Sequence, residues 1–179
     1  MKLTIGTREY ELPDAAPGAP ATIPKPTGPA LKTRADAMAA LKELEYFMGP
    51  LQRRCVIENF RGEERQYFYD LMCELAERVR TMPHSYQQDG AGEDAIAYLH
   101  YFAGGQANWW ITEKDKGSAD DGLDGNPPNE QQQAFGRADL FGDGGELGYI
   151  SIAEILACNG ELDFHFTPKT LRELRAETT

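Results

Sequence analysis

A chain of 179 residues is long enough for one domain of ordinary size, or for a smaller domain with an attached arm. Its hydrophobic content of 41% is typical of a globular protein, and no apolar run reaches the roughly 20 residues that span a bilayer. The formal net charge is -11, and residues 81–179, with 17 acidic and 6 basic side chains, carry all of it. Such a surface repels phosphates, so nucleic acid is an unfavourable partner and a protein with a basic surface a favourable one.

The cysteines Cys55, Cys73 and Cys158 are odd in number and widely spaced. This pattern argues against a disulfide framework and against a thiolate metal site, and it predicts reduced, mostly buried thiols. Residues 1–30 lack the charged head and apolar stretch of a secretory signal, so we expect a cytoplasmic protein. No motif for a cofactor is present, and we expect none to be bound.

The first 32 residues are predicted to form an arm that is separate from the main domain. The segment "KLTIGTREYEL" alternates apolar and polar residues on both sides of Gly6 and Thr7, a pattern typical of a small hairpin. Six prolines then follow between Pro13 and Pro29. Because proline lacks a backbone donor, we expect this stretch to be extended and without helix or ladder pairing.

Residues 33–83 are predicted to be mainly helical. Thr33 and Asp36 form a pattern typical of a capping box, and apolar residues recur on one face as far as Met48. A longer amphipathic helix is predicted from about Gly62 to Pro83. Between them, "RRCVIENF" is predicted as a strand on account of its β-branched residues.

Residues 95–174 are predicted to be the sheet part of the same domain, which spans 33–179. "AIAYLHYFAGG" and "NWWITEKD" have the pattern of a hairpin, "QQQAFGRADLF" and "ELGYI" that of two more strands, and "ELDFHF" that of a half-buried strand. Ser151 is predicted to cap a short helix, and Pro168 to begin a terminal one. We therefore expect an α+β fold: a mainly antiparallel sheet of four or five strands, two N-terminal helices and short C-terminal helices.

The acidic loop between Asp115 and Glu130 is a possible ligand site. Its aspartates Asp120, Asp121 and Asp124 could offer oxygen ligands to a cation, but their spacing does not match a calcium-binding loop. Its glycines and prolines favour an exposed connection instead. We therefore expect no bound metal, and we expect these aspartates to contact a basic partner.

Four ionisable residues suggest an alternative, catalytic interpretation. Glu113 and Asp115 would share one face of a strand with Trp109 and Ile111, and His100 and His165 lie in strands that could be neighbours. Together they could form an acid/base site. The competing interpretation, which we favour, is that the carboxylates brace the following loop and that the histidines are buried and hydrogen-bonded.

The adjacent residues Trp109 and Trp110 must point to opposite faces of a strand. We expect one of them to be exposed as an anchor for a partner, together with Tyr149. A platform for stacking nucleic acid bases is less favoured, because such platforms lie in basic grooves and this half of the chain is acidic.

Five segments carry a resemblance to a known family: "AYLHYFAGG", "WWITEKD", "AFGRADL", "GELGYISIAEIL" and "ELDFHFTPKTL". In this order, over about residues 95–174, they resemble a small domain of unknown function in proteins of bacteriophages, plasmids and integrative elements, of the type associated with polyvalent proteins. The resemblance implies a mobile genetic element as the setting and implies no activity. The long insertion after Asp115 and the N-terminal half depart from the shorter members.

These observations lead to two main functional hypotheses, beside a third in which the arginines around the second predicted helix bind DNA or RNA. The first is a non-enzymatic acidic interaction protein of a mobile element, which modulates or inhibits a host defence system by presenting carboxylates in place of phosphates. The second is a small hydrolase or transferase with a site of histidines and carboxylates.

Overall fold

A computed structural model describes residues 2–5, 8–11, 30–116 and 130–177. The chain divides into two units, residues 1–31 and 32–179. In the first unit, β1 (Lys2–Ile5) pairs antiparallel with β2 (Arg8–Glu11), and Leu3 lies opposite Tyr10. This pairing is that of the predicted hairpin. The prolines from Pro13 to Pro29 and the aspartates Asp120, Asp121 and Asp124 lie outside the described residues.

Three helices begin the second unit: α1 (Arg34–Glu43), α2 (Pro50–Asn59) and α3 (Arg65–Thr81). The predicted capping box starts α1, where the Thr33 backbone N–H donates to the Asp36 carboxylate at 2.7 Å. The strand predicted for "RRCVIENF" is wrong, because this segment belongs to α2. Pro50 occupies the first turn of α2, where its fixed φ and missing N–H suit a helix start, and this local preference outweighs two β-branched residues.

In the described residues the main sheet has five antiparallel strands: β4 (Leu99–Ala103), β5 (Ala107–Glu113), β6 (Ala134–Asp139), β7 (Glu146–Ile150) and β8 (Glu161–Leu162). Their order across the sheet is β7, β6, β5, β4, β8. A separate short pair joins β3 (Ile96–Ala97) to β9 (Lys169–Thr170). The described part of this unit also contains α4 (Ile152–Ala157), which Ser151 caps as predicted, α5 (Leu171–Glu177) and a 3₁₀ turn at Gly92–Asp94. The predicted α+β class is confirmed.

One face of the sheet packs against the helices. Leu99, Tyr101 and Ile111 are buried there, in a single cluster with the apolar stripes of α1 and α3. The Tyr101 hydroxyl donates to the Phe47 carbonyl at 2.7 Å, directly after α1. This hydrogen bond links the sheet to the helical layer inside the core.

The opposite face carries a second, smaller cluster. Buried residues of α5 and of the segments around β3 and β9 pack there, with Trp110 beside them. Trp109 packs against the first cluster. The two tryptophans therefore lie on opposite faces as predicted, but both are half-buried, so the expectation that one is exposed is wrong. Neither tryptophan is exposed because the first cluster covers one face of β5 and the second cluster covers the other.

The C-terminal segment also differs from prediction. Only Glu161 and Leu162 of "ELDFHF" form a strand, because the Asp163 carboxylate accepts the His165 N–H at 2.9 Å and turns the chain. The terminal helix begins at Leu171 and not at Pro168, since Thr170 and Glu173 form a second capping arrangement.

The prediction of buried cysteines is also wrong for two of the three. Cys55 and Cys158 are exposed, because each lies on the outer side of a helix or at its end, while Cys73 is partly buried. Among the described residues, no helix is long and apolar enough to cross a membrane.

We expect Tyr101→Phe to lower the free energy of unfolding by about 1–2 kcal/mol, because the buried Phe47 carbonyl loses its donor. Urea unfolding would measure this change. Tyr67→Phe is the matched control, since the exposed Tyr67 hydroxyl hydrogen-bonds to the exposed His165, and its effect should stay below about 0.5 kcal/mol. Equal effects of the two substitutions would contradict the role of Tyr101.

Candidate functional site

A cleft of about 440 Å³ lies on the sheet face opposite the first hydrophobic cluster, between the segment 85–95 and the ends of β5, β6 and β7. Its lining is mainly aromatic and apolar with a few acidic groups. The residues that define it are Tyr86, Asp89, Glu113, Phe135, Leu147 and Tyr149. We call it the aromatic cleft.

A β-bulge brings Glu113 into the aromatic cleft. The register between β5 and β6 shifts between Ile111 and Glu113, so that Glu113 lies opposite Phe135. Residues that pair across two strands share a face, and Glu113 therefore shares a face with Trp110 and not, as the alternation predicts, with Trp109 and Ile111. Gly136 permits the close approach of the strands here, because a Cβ at that position would lie 2.1 Å from the Trp110 carbonyl oxygen.

The Glu113 carboxylate holds the segment 85–95, which forms one wall of the cleft, against the sheet. It is only 3% exposed, and it accepts the backbone N–H of Tyr86 at 2.8 Å and that of Gln88. The Gln88 side chain in turn accepts the Ile96 N–H and donates to the Thr112 carbonyl, each at 2.8 Å. These bonds fasten the segment 85–95 to the sheet and satisfy a charge that would otherwise be costly to bury.

Tyr86 has a strained backbone. Its φ of 76° lies in the left-handed region, which a residue with a bulky side chain seldom adopts. Glu113 accepts the N–H of this same residue, so the buried carboxylate stabilises the strained conformation. Strain of this kind is often found at binding sites, where the surrounding structure maintains it.

Three rings form an open box in the aromatic cleft. The Tyr149 ring lies at 73° to the Tyr86 ring, with centroids 6.5 Å apart, and at 80° to the Phe135 ring, with centroids 5.6 Å apart. The hydroxyls of Tyr86 and Tyr149 hydrogen-bond to each other at 2.7 Å. Tyr86 is 72% exposed and Tyr149 is 58% exposed, so both rings are accessible.

The electrostatic environment of the aromatic cleft is negative. Asp89 and Glu113 line it, and none of the described lining residues is basic. The hydrogen bond between the two hydroxyls raises the pKa of Tyr149 above its usual value, and partial desolvation and the negative charges of Glu113 and Asp89 act in the same direction. The site is therefore suited to a group that is positively charged and tolerates an aromatic surface.

The four residues of the catalytic hypothesis are each bonded to other groups. His100 Nδ1 lies 3.1 Å from Asp163 Oδ2 and its Nε2 lies 2.9 Å from Asn108 Oδ1. His165 is exposed, so the expectation that it is buried is wrong, and its Nδ1 lies 3.3 Å from the Tyr67 hydroxyl. The Asp115 carboxylate accepts the N–H groups of Gln132 and Gln133, at 3.2 and 2.8 Å.

The partners of the two carboxylates agree with the bracing interpretation. Both Glu113 and Asp115 accept backbone N–H groups, as loop-bracing carboxylates do. His100 is half-buried, hydrogen-bonded and stacked on Trp110, with ring centroids 5.4 Å apart. Within residues 30–116 and 130–177, no group of three histidines, cysteines or acids is placed to hold a metal ion.

The turn between β6 and β7 is held by the carboxylate of Asp139. The Asp139 carboxylate, only 3% exposed, accepts the N–H groups of four consecutive residues, Phe141, Gly142, Asp143 and Gly144. Burial would raise the pKa of Asp139, but these four donors together lower it below its usual value. The turn holds Leu140 and Phe141 exposed at its tip.

Of the residues in the aromatic cleft, Tyr149 is predicted from the sequence as a binding residue and Glu113 as a candidate acid. Tyr86, Asp89, Phe135 and Leu147 are not predicted from the sequence. The stretch "HSYQQDGAGED" has no periodicity, and its one aromatic residue among polar ones is the only signal in it that could have pointed to a site. Comparison with models of protein families, with curated proteins and with solved structures finds no match for this chain.

We expect Glu113→Gln to lower the free energy of unfolding by about 2 kcal/mol, because an amide in place of the carboxylate oxygens leaves at least one backbone N–H facing a donor. Amide hydrogen exchange should also accelerate selectively in residues 85–95. Glu146→Gln, at an exposed acid of β7, is the control and should change neither quantity. Unchanged exchange in residues 85–95 would contradict the bracing role of Glu113.

We expect the contribution of Asp139 to stability to disappear in acid. Because folding lowers its pKa below the ordinary value of 3.8, the contribution is complete above that value and is lost as the pH falls through the folded-state pKa. Asp139→Asn should therefore cost about 1–3 kcal/mol at pH 7 and less at about pH 3. Urea unfolding of both proteins at each pH tests this, and an equal difference at both pH values would contradict it.

Proposed function

We propose that this chain is a non-enzymatic interaction protein that binds a partner protein with a basic surface, and that the aromatic cleft is its docking site. The observation that carries the proposal is the composition of the cleft: accessible tyrosine rings beside two carboxylates, with no basic residue in the described lining. Aromatic residues that are exposed and rigidly held commonly anchor a partner protein.

Charge supports the same type of partner. The excess of acids lies entirely in residues 81–179, which include every residue of the aromatic cleft. A negative field of this kind accelerates the encounter with a positively charged protein and repels nucleic acid. Such binding should weaken as salt is added, because the ions screen the long-range attraction.

The alternative, a small hydrolase or transferase, has less support. A catalytic site needs its acid, base and substrate position within hydrogen-bond reach of one another. Here Glu113, Asp115, His100 and His165 have separate partners, and the carboxylates are occupied by backbone N–H groups.

The resemblance of residues 95–174 to the mobile-element domain supplies the biological part of the proposal. A cytoplasmic protein of a phage, plasmid or integrative element that presents carboxylates could occupy a surface on which a host defence protein binds phosphates. We propose such a defence protein as the partner. Its phosphate-binding surface would provide the positive charge that the aromatic cleft complements.

Affinity capture from a bacterial lysate, followed by reconstitution with the purified partner, tests the proposal. We expect a basic protein to bind at 50 mM NaCl and the affinity to fall by about tenfold or more at 500 mM. Asp89→Lys in the cleft should weaken this binding by about tenfold. Glu63→Lys, the same charge change at an exposed position between α2 and α3, should change it less than about twofold.

Two results would overturn the proposal. One is the absence of any basic protein bound at low salt. The other is an equal loss of affinity in Asp89→Lys and Glu63→Lys, since this would mean that total charge, and not the aromatic cleft, determines binding.

A further inference from the structure

Strand β7 forms one edge of the main sheet. In the described part of the chain it pairs with β6 alone, in a regular register from Glu146 opposite Ala138 to Ile150 opposite Ala134. Every second residue of such a strand directs its N–H and C=O away from its neighbour. Edge strands are usually protected by lysine, proline or a bulge, and "ELGYI" contains none of these.

The side chains of β7 leave room for an additional strand. Leu147 and Tyr149 lie on the cleft face, and they are 44% and 58% exposed. Between them, Gly148 lies on the other face, and a Cβ built there meets no atom within 4 Å. Because Leu147 and Tyr149 of β7 also line the aromatic cleft, the edge of the sheet is continuous with that cleft.

We infer that an extended segment of the basic partner adds to the edge of β7 and places one arginine side chain in the aromatic cleft. The inference rests on the proposed function and specifies how the partner docks. Backbone hydrogen bonds to β7 would supply affinity without dependence on sequence, and the cleft would select the side chain.

Arginine suits the cleft for three reasons. Its guanidinium is planar and stacks on aromatic faces, which Tyr86 and Tyr149 provide. Its N–H groups can donate to the Asp89 carboxylate and to the tyrosine hydroxyl oxygens that line the cleft. Its positive charge complements a site in which the described lining has acids and no bases.

Charge also distinguishes the partner from the acidic segment 117–129 of this chain. Residues 117–129 carry Asp120, Asp121 and Asp124 and no basic residue. An acidic segment would be repelled by Asp89 and Glu113. The matching occupant is therefore a basic segment of another protein.

A synthetic peptide tests the inference with the full chain. The probe is acetyl-Thr-Val-Arg-Val-Thr-amide, titrated into protein that carries ¹³C-labelled tyrosine and followed by NMR. We expect saturable shifts of the Tyr86 and Tyr149 ring signals. Citrulline in place of arginine, which keeps the shape and removes the charge, should weaken binding by about tenfold.

Two further comparisons separate the parts of the inference. Tyr149→Ala should weaken peptide binding by about tenfold, and Tyr67→Ala, at an exposed tyrosine of α3, should leave it unchanged. Two peptides that are N-methylated at alternate residues should behave differently, because only one set of amides faces β7 in a strand pair. One methylated peptide should fail to bind and the other should retain its affinity.

Three results would overturn the inference. The first is an arginine peptide that does not bind, or binds no better than the citrulline peptide. If a basic partner still requires Asp89 for binding in that case, the proposed interaction function is retained and only this docking mode is rejected. The second is equal binding of the two methylated peptides. The third is self-association of the chain that Tyr149→Ala abolishes, because a second copy would then occupy the edge of β7.

Discussion

The coverage of β5 on both faces is the constraint on which the rest of the second unit depends. Trp109 and Ile111 pack against the helical layer, while Trp110 packs against α5 and the segments around β3 and β9. A strand buried on both sides needs apolar side chains at consecutive positions, and it places one layer of the chain on each side. The helices cover only one face fully, and this leaves the other face partly open next to β7.

The aromatic cleft exists because a buried charge is satisfied by backbone groups. The bulge in β5 turns Glu113 to the open face, where its desolvated carboxylate requires donors. The N–H groups of Tyr86 and Gln88 supply them, which draws the segment 85–95 onto the sheet and holds Tyr86 at a positive φ. The same interaction therefore builds the wall of the site, orients one of its rings and contributes to its negative charge.

Local patterns in the sequence predicted most of the elements. The capping box at Thr33, the cap at Ser151 and the strands β4 to β7 follow from interactions between residues close in the chain, so each pattern has one main interpretation. The predictions were wrong where a different local interaction outweighed the pattern from which the element was predicted. Proline at the first turn of α2 outweighed the β-branched residues after it, and the Asp163 side chain ended the strand that its alternating neighbours suggested.

The sequence by itself determined the α+β class, the antiparallel hairpin of β4 and β5 and the acidic character of the C-terminal half, because periodicity and charge are properties of neighbouring residues. Only the tertiary structure decided which residues meet. Tyr86 and Tyr149 are 63 positions apart and share a hydrogen bond, and a single extra residue at the bulge sets the face of Glu113. Neither contact leaves a local signal, since each depends on how the register of distant strands closes during folding.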